Sequence, residues 1–426
     1  LIMQSLLWAL QFILRNMKLK KVINKSAKGF NAEITFINYF NKSNVSQKES
    51  SQFKSSYWTK IPDLLRKKKI KSHWLHIDLD YSINAIFASN EHPAEKFNDN
   101  SKYQNHISIF QLLNFKIILI VIKDWIKLLY NGFFIKHLNL ISLKKQCYLA
   151  PYIESDLKES IYGRTSLQNL FLYRLFEATF KIIPNQKKCF FLQENQGWEF
   201  GLIQSWQAQN QDNRLVGVPH STVRFWDLRY FFDKKLYSYE KKFQIPRPSQ
   251  IAINGKVAYD MYVNGGYPEG ELIIVEALRY IENLESGVDS NSDSKIDNNC
   301  ILILGDYEID STALQLKLME DAVRNLDHPI KVMFKPHPRT PINVNNYPLL
   351  NLQITKMSIK ELSAKCKIAF TSNMTSAALD AYYQGFNIIS VLDGSDLNMS
   401  PMRNNPSINF ISNSKQLIDV LKKLKQ

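Results

Sequence analysis

The sequence predicts an α/β protein of two Rossmann-like domains, and three observations predict it. Short apolar runs alternate with helix-like stretches along most of the chain. Two of those runs, 330–334 and 368–370, end in polar loops, Lys335-Pro336-His337-Pro338-Arg339-Thr340 and Thr371-Ser372-Asn373-Met374-Thr375-Ser376. With 426 residues, 45% of them hydrophobic, the chain can bury two cores.

The chain opens inside an apolar stretch, Leu1 to Leu14, which Arg15 closes. It lacks the positive start and small-residue end of a signal peptide and is too short to span a bilayer. It reads as the end of a helix whose beginning is missing. Glu33 to Phe40, rich in β-branched and aromatic residues, reads as a strand. A polar loop follows to Ser56. Tyr57-Trp58 then opens a helix that ends in Arg66-Lys67-Lys68-Lys69, and Ser72 to Ile77 is the next strand. Residues 103–145 are apolar and helix-like and read as a buried helical pair. Lys116, Lys123, Lys127, Lys136, Lys144 and Lys145 leave open a second reading, a helix resting on an anionic membrane face.

Cys189 to Leu192 reads as a strand, followed by a helix to about Gln209 and the run Arg214 to Val218. A charged, proline-marked stretch carrying Pro246 and Pro248 reads as a linker. The predicted division is therefore a domain over 1–235, a linker over 236–250 and a second domain over 251–426. In the second, strands are expected at 251–253, 272–275, 300–304, 330–334, 368–370 and 387–392. Helices are expected at 311–325, 375–384 and 417–425, and a polar surface loop at 285–299. Ser358 and Glu361 have capping-box spacing, and Gly385 stands where a C′ glycine stops a helix.

In open α/β sheets, ligands bind beyond the carboxyl ends of the strands. Prolines on both sides stiffen the loop that carries His337, with Lys335 and Arg339 adding charge. His92-Pro93 and His328-Pro329 do not follow buried strands and read as rigid surface turns. Free N–H groups at the start of the 375–384 helix, with Ser372, Asn373, Thr375 and Ser376, make an anion site. One of these hydroxyls can instead be an ordinary N-cap. Asp380, one turn in, reads as a ribose contact or a solvated carboxylate, and Gly305 closes the 300–304 strand. In the first domain, strand ends bring Glu194 and His220 to one edge. Glu194 is the expected general base for an acceptor hydroxyl, with Glu199 and His220 as alternatives. Tyr57 and Trp58 offer stacking faces or simply pack.

A His-Pro strand end followed by a Ser/Thr-rich strand-to-helix turn resembles the GT-B glycosyltransferases that use CMP-activated sugars, among them bacterial sialyltransferases and Kdo transferases. Glu-Asn-Gln-Gly-Trp-Glu at 194–199 and Glu276-Ala277-Leu278-Arg279-Tyr280 are similar to bacterial surface-carbohydrate biosynthesis proteins. The resemblance implies a GT-B-like architecture with a cleft between the domains. It also implies a nucleotide phosphate held by the two polar loops, and sugar transfer to a surface glycan such as lipopolysaccharide O-antigen or capsule. Transfer of glycerol- or ribitol-phosphate from a CDP donor and nucleotide-sugar epimerisation share the architecture, and a non-catalytic glycan- or nucleic-acid-binding module is the reading from another class.

Four cysteines without CxxC spacing argue against a zinc site or a disulfide framework and fit a reducing compartment. The net charge of +15 suits a phosphorylated ligand or an anionic membrane. The basic residues form no nucleic-acid-binding signature, so nucleic acid is not an expected partner. No DxD-type pair follows a strand, so no metal and no resident cofactor are expected. The expected partners are a nucleotide sugar and a glycan or lipid-linked acceptor. The expected place is the cytoplasm, peripherally at the inner face of the membrane.

Overall fold

Two parallel sheets with the same strand order organise the chain. The computed structural model describes residues 1–17, 19, 29–41, 52–78, 92–98, 101–146, 150–183, 185–209, 213–219, 228–230, 236, 245–278, 297–338, 340 and 342–425. The first unit contains helix α1 (Ile2–Asn16), strand β1 (Ile34–Phe40), helix α2 (Ile61–Lys67) and strands β2 (Ser72–Asp78) and β3 (Gln104–Ser108). It continues with helices α3 (Phe115–Gln146), α4 (Ala150–Tyr162) and α5 (Arg164–Ile182), strand β4 (Lys188–Leu192), helix α6 (Gly197–Gln209) and strand β5 (Arg214–Val218). Strand β6 (Gln250–Ile253), helix α7 (Lys256–Asn264) and strand β7 (Leu272–Ile274) follow. The second sheet is built from β8 (Asp297–Leu304), β9 (Lys331–Lys335), β10 (Gln353–Ile354), β11 (Cys366–Ser372), β12 (Asn387–Val391) and β13 (Asn409–Ile411). Its helices are α8 (Ile309–Arg324), α9 (Ile359–Ser363), α10 (Ala377–Tyr383) and α11 (Ser414–Lys425).

The first sheet runs β3-β2-β1-β4-β5-β6-β7 and the second β10-β9-β8-β11-β12-β13. Numbered within its own unit, each begins 3-2-1-4-5-6, the doubly wound order whose direction reverses between the first and fourth strands. The central strands β8 and β11 of the second sheet are buried on both faces, which is why they appear in sequence as nearly continuous apolar runs. In the second sheet, alternate residues split into two cores. Ile301, Ile303, Phe334 and Phe370 pack under α8 and α11. Leu302, Leu304, Ala369 and Ile388 pack under α9 and α10.

The α/β class and most elements match the sequence reading. The capping box at Ser358 and Glu361 is formed, and Gly385 takes the left-handed φ of 80° expected just past a helix end. Other expectations are corrected. Strands β6 and β7, assigned by the sequence to the second domain, extend the first sheet from β5, so the 236–250 boundary falls too early. Residues 236 and 245–250 alone of that linker are described. Helix α7, between those two strands, groups with the second unit. The 103–145 stretch is not a helical pair: Gln104–Ser108 is a strand, and one 32-residue helix follows. Residues 297–299 of the expected surface loop begin β8, while 285–296 lie outside the described residues. Tyr57-Trp58 does not open a helix. Trp58 is buried and its indole donates to the Ile37 carbonyl at 3.1 Å, with α2 starting at Ile61. Cys300 and Cys366 form a disulfide although they stand 66 residues apart, because β8 and β11 are neighbours with these Cα atoms 4.8 Å apart. Distance along the chain says little about cysteines on adjacent parallel strands.

The first sheet also buries a polar network that the sequence did not announce. The Asn38 amide donates to His76 Nδ1 at 3.2 Å, so His76 carries its proton on Nε2 and donates to His106 Nδ1 at 3.1 Å. Asn105 donates to His73 Nδ1 at 3.1 Å. His92, read as a surface turn, is buried; its Nδ1 accepts from the Ala94 N–H and its Nε2 lies 2.9 Å from Asp78. Burial holds the His73 imidazole down to about 4 and His106 to about 3, and pushes His76 well below its ordinary value.

Candidate functional site

The reversal of strand order puts a crevice beyond the carboxyl ends of β8 and β11 in the second unit. Three loops meet there around Asp306, which is buried. Its carboxylate accepts from the Ser372 hydroxyl at the end of β11, and its other oxygen accepts from the Glu308 N–H at 3.0 Å. Its backbone N–H donates to Thr312 Oγ1 at 2.8 Å, and its carbonyl accepts from Thr340 Oγ1 at 2.7 Å. Asp306 therefore joins the β8 end to the His-Pro loop and to the 372–376 turn. Gln315, buried on α8, bridges the same two strands by donating to the carbonyls of Leu304 and Phe370.

Gly305 has a packing reason. A Cβ built there would lie 3.0 Å from the His337 backbone nitrogen and 3.3 Å from Pro336 Cα. Only a bare Cα lets the His-Pro loop approach β8 this closely. His337 is half-buried, with its ring edge-on to Tyr307 at 5.5 Å.

The anion site differs in detail from its prediction. The Ser372 hydroxyl is already committed: it donates to Asp306 and accepts from the N–H groups of Met374 at 3.3 Å and Thr375 at 3.2 Å. Thr375 Oγ1 accepts from the Ala377 N–H at 3.3 Å. The helix opens at Ala377 rather than Thr375 and has seven residues, so few free N–H groups and little dipole remain for an anion. Lys335 is turned away and donates to the Met357 carbonyl at 2.8 Å. Asn373 is buried with its side-chain oxygen unpartnered, beside a small hollow lined by Ser311, Asp393, Ser395 and Asp396. Asp380 falls in the first turn of α10, and Ser376 is its N-cap residue, without a side-chain cap bond. Arg339 and His220 lie outside the described residues. A cavity of about 650 Å³ elsewhere in this unit is lined by Asp260, Tyr382, Tyr383 and Arg403, and by none of the predicted site residues.

In the first unit the corresponding reversal of strand order falls between β1 and β4. Tyr39, near the end of β1, faces Tyr57 at 5.5 Å and Trp198 at 5.9 Å between ring centroids. Gln193 to Gln196 form the turn after β4, with Asn195 at φ 54°. Glu199, in the first turn of α6 and buried, holds that turn by accepting from three backbone N–H groups, Glu194 at 2.8 Å, Asn195 at 3.1 Å and Gln196 at 3.1 Å. Burial nonetheless outweighs those bonds and pushes its carboxyl up to about 7. Glu194 is half-exposed and accepts from Gln196 Nε2 at 2.7 Å. Burial first, then the charge of Glu194, raises the phenols of both Tyr39 and Tyr57, with Glu199 adding to Tyr39. The two carboxylates left as alternatives by sequence thus have different surroundings: Glu199 is built into the turn and Glu194 stands at its rim. Tyr39 and Asp306 were missed as site residues. The available signal was their place, near or just after the end of an apolar run.

No protein-family model matches the chain, and no curated protein matches it in sequence. Among solved structures, the chain is similar to Anabaena HepE in complex with UDP and glucose, at 7% identity and TM-score 0.42, over 92% of this chain and 89% of that one. It is similar to a glycosyltransferase from Rickettsia africae at 10% identity and TM-score 0.44, over 92% and 88%. It is also similar to MurG of Acinetobacter baumannii at 8% identity and TM-score 0.43, over 92% and 91%. The chain's own two parallel α/β sheets, of seven and six strands, each carry the doubly wound strand order.

Proposed function

We propose that the chain is a glycosyltransferase that moves a sugar from a nucleotide donor, CMP-linked, to a bacterial surface glycan such as lipopolysaccharide O-antigen or capsule. One observation carries the reading: each sheet reverses its strand order once, and at each reversal polar strand-end loops converge. Nucleotide binding is assigned to the second unit. His337 faces the departing phosphate, and Asn373, Thr375, Ser376 and Asp380 supply polar groups beside it. Lys335 and Ser372 act through the loops they tether, Gly305 through the close approach it permits, and Arg339 adds charge. The cytidine part of the donor rests on the His-Pro and Ser/Thr motifs.

In the reaction the acceptor hydroxyl oxygen bonds to the anomeric carbon while the bond from that carbon to the phosphate oxygen breaks. The hydroxyl proton passes to Glu194, and the electron pair leaves on CMP. Glu199 positions Glu194 by fixing the turn that carries it. His220 is the second candidate for the base. A leaving group with one phosphate needs only fixed donors to steady its charge, so turnover should survive a chelator. The acceptor is proposed to be lipid-linked, with the protein peripheral at the inner membrane face; no helix of the described residues is long and apolar enough to cross a membrane.

Calorimetric titration of CMP, CDP and UDP tests the donor. CMP should bind, and His337→Ala should lose a charge-assisted hydrogen bond, about 1.5–3 kcal/mol or roughly 10- to 150-fold in affinity. Unchanged CMP affinity in that variant removes the phosphate assignment. UDP binding without CMP binding reassigns the donor, and turnover of a CDP-alditol or epimerisation without transfer reassigns the reaction.

A further inference from the structure

Helix α3 packs one side and leaves the other open. Ile117, Ile118, Val121 and Trp125 are buried, and the Trp125 indole donates to Ser166 Oγ of α5 at 3.0 Å. On the outer side Phe115, Leu119, Ile122, Ile126, Tyr130 and Phe133 are 43% to 66% exposed. Their spacing of three and four places them within about 80° of arc, in a stripe about 27 Å long. Lys116, Lys123 and Lys127 are exposed and form a row along one flank of the stripe. The one acid of residues 115–134, Asp124, is turned away from it and bonded to Arg174 of α5 at 2.8 Å.

We propose that this face of α3 is a docking surface for an anionic lipid bilayer, with the helix lying in the headgroup plane. The proposal gives a surface to the peripheral placement suggested above and rests on that part of the reading, not on the transfer chemistry. Three features select a bilayer as the occupant. An apolar stripe flanked by lysines, without acids, is the pattern of an interfacial helix, because lysine stems lie on apolar surface while their ammonium groups reach phosphates. Phe115, Tyr130 and Phe133 add exposed aromatic rings to the apolar face, the side chains that an in-plane helix buries at the headgroup boundary. A second copy in antiparallel register would set lysine row against lysine row.

The test is co-sedimentation of the full chain with vesicles of phosphatidylcholine alone or mixed with phosphatidylglycerol, at low and high salt. Binding should require phosphatidylglycerol and weaken with salt. Lys116, Lys123 and Lys127 replaced together by Gln should lower partitioning about 100-fold. Leu119→Ser with Ile126→Ser should also abolish binding, while circular dichroism and melting temperature stay unchanged because all five side chains face solvent. Equal binding to both vesicle types, no binding at all, or binding that survives both sets of substitutions would overturn the proposal. So would a dimer in sedimentation velocity that the same substitutions break, without vesicle binding. CMP titrated into these variants separates the two readings: CMP binding without vesicle binding removes only the surface, and vesicle binding without any nucleotide binding removes only the transferase.

Discussion

At the scale of single residues, Glu199 shows how one carboxylate can be both structural and charge-sensitive. Three backbone N–H groups point at it, yet burial holds its carboxyl near 7, above the 4.5 of an unfolded chain. The folded state therefore holds the extra proton between those values, so this residue's contribution falls as pH rises from about 4.5 through 7. The size is about 3 kcal/mol across the window. Chemical denaturation of Glu199→Gln should show that falling component gone between pH 5 and 8, with weaker stability at pH 5 from the lost hydrogen bonds. A wild-type and variant pair with the same pH slope would show that Glu199 does not titrate there. Sequence placed Glu199 at the right strand end but not in this role, since a helix-start glutamate looks the same whether it faces solvent or its own turn. The place of His337 in a loop just past a strand was legible, because two prolines and a preceding apolar run fix its context. Asp306 was not, because one aspartate after a strand says nothing about which loops will close on it.

At the scale of elements, β2 and β3 carry three imidazoles whose folded values lie below the unfolded 6.5. The unfolded chain then binds more protons below 6.5, so stability drops as pH falls from about 6.5 toward 4 and 3. Geometry gives the same sign: a proton on His73 Nδ1 would face the Asn105 amide donor, and one on His76 Nδ1 would face Asn38. Melting temperature measured from pH 8 down to pH 4 should fall steeply below about 6, against the opposite and smaller trend of Glu199. His73→Gln should remove about one proton from the uptake that accompanies unfolding. An acid limb unchanged in that variant would mean His73 titrates normally. None of this was legible in sequence. Histidines at 73, 76, 92 and 106 are spread over two strands and a turn, and only the register of β2 on β3, with Leu75 opposite Ile107, sets His76 beside His106 and His73 beside Asn105.

At the scale of the whole molecule, two α/β units were legible and their boundary was not. The apolar runs at 251–253 and 272–274 look like any buried strand, and nothing in them specifies which sheet they extend. Proline and charge before 250 marked a change of direction that lies inside the first unit rather than at its end. Pairing of Val216 with Gln250 and of Ile251 with Leu272 decides the matter. That pairing bears on the order in which the chain leaves a ribosome. The first sheet stays incomplete until residue 274 has emerged, and until then first β5 and, once residue 253 is out, β6 offers an unpaired parallel edge to other nascent chains. A polypeptide ending at 249 should aggregate on expression, whereas one ending at 278 should stay in solution with a cooperative melt. Equal solubility of the two fragments would mean that the last two strands are dispensable. If the difference holds, slow synthesis between codons 219 and 274 is the interval in which this protein most needs a chaperone.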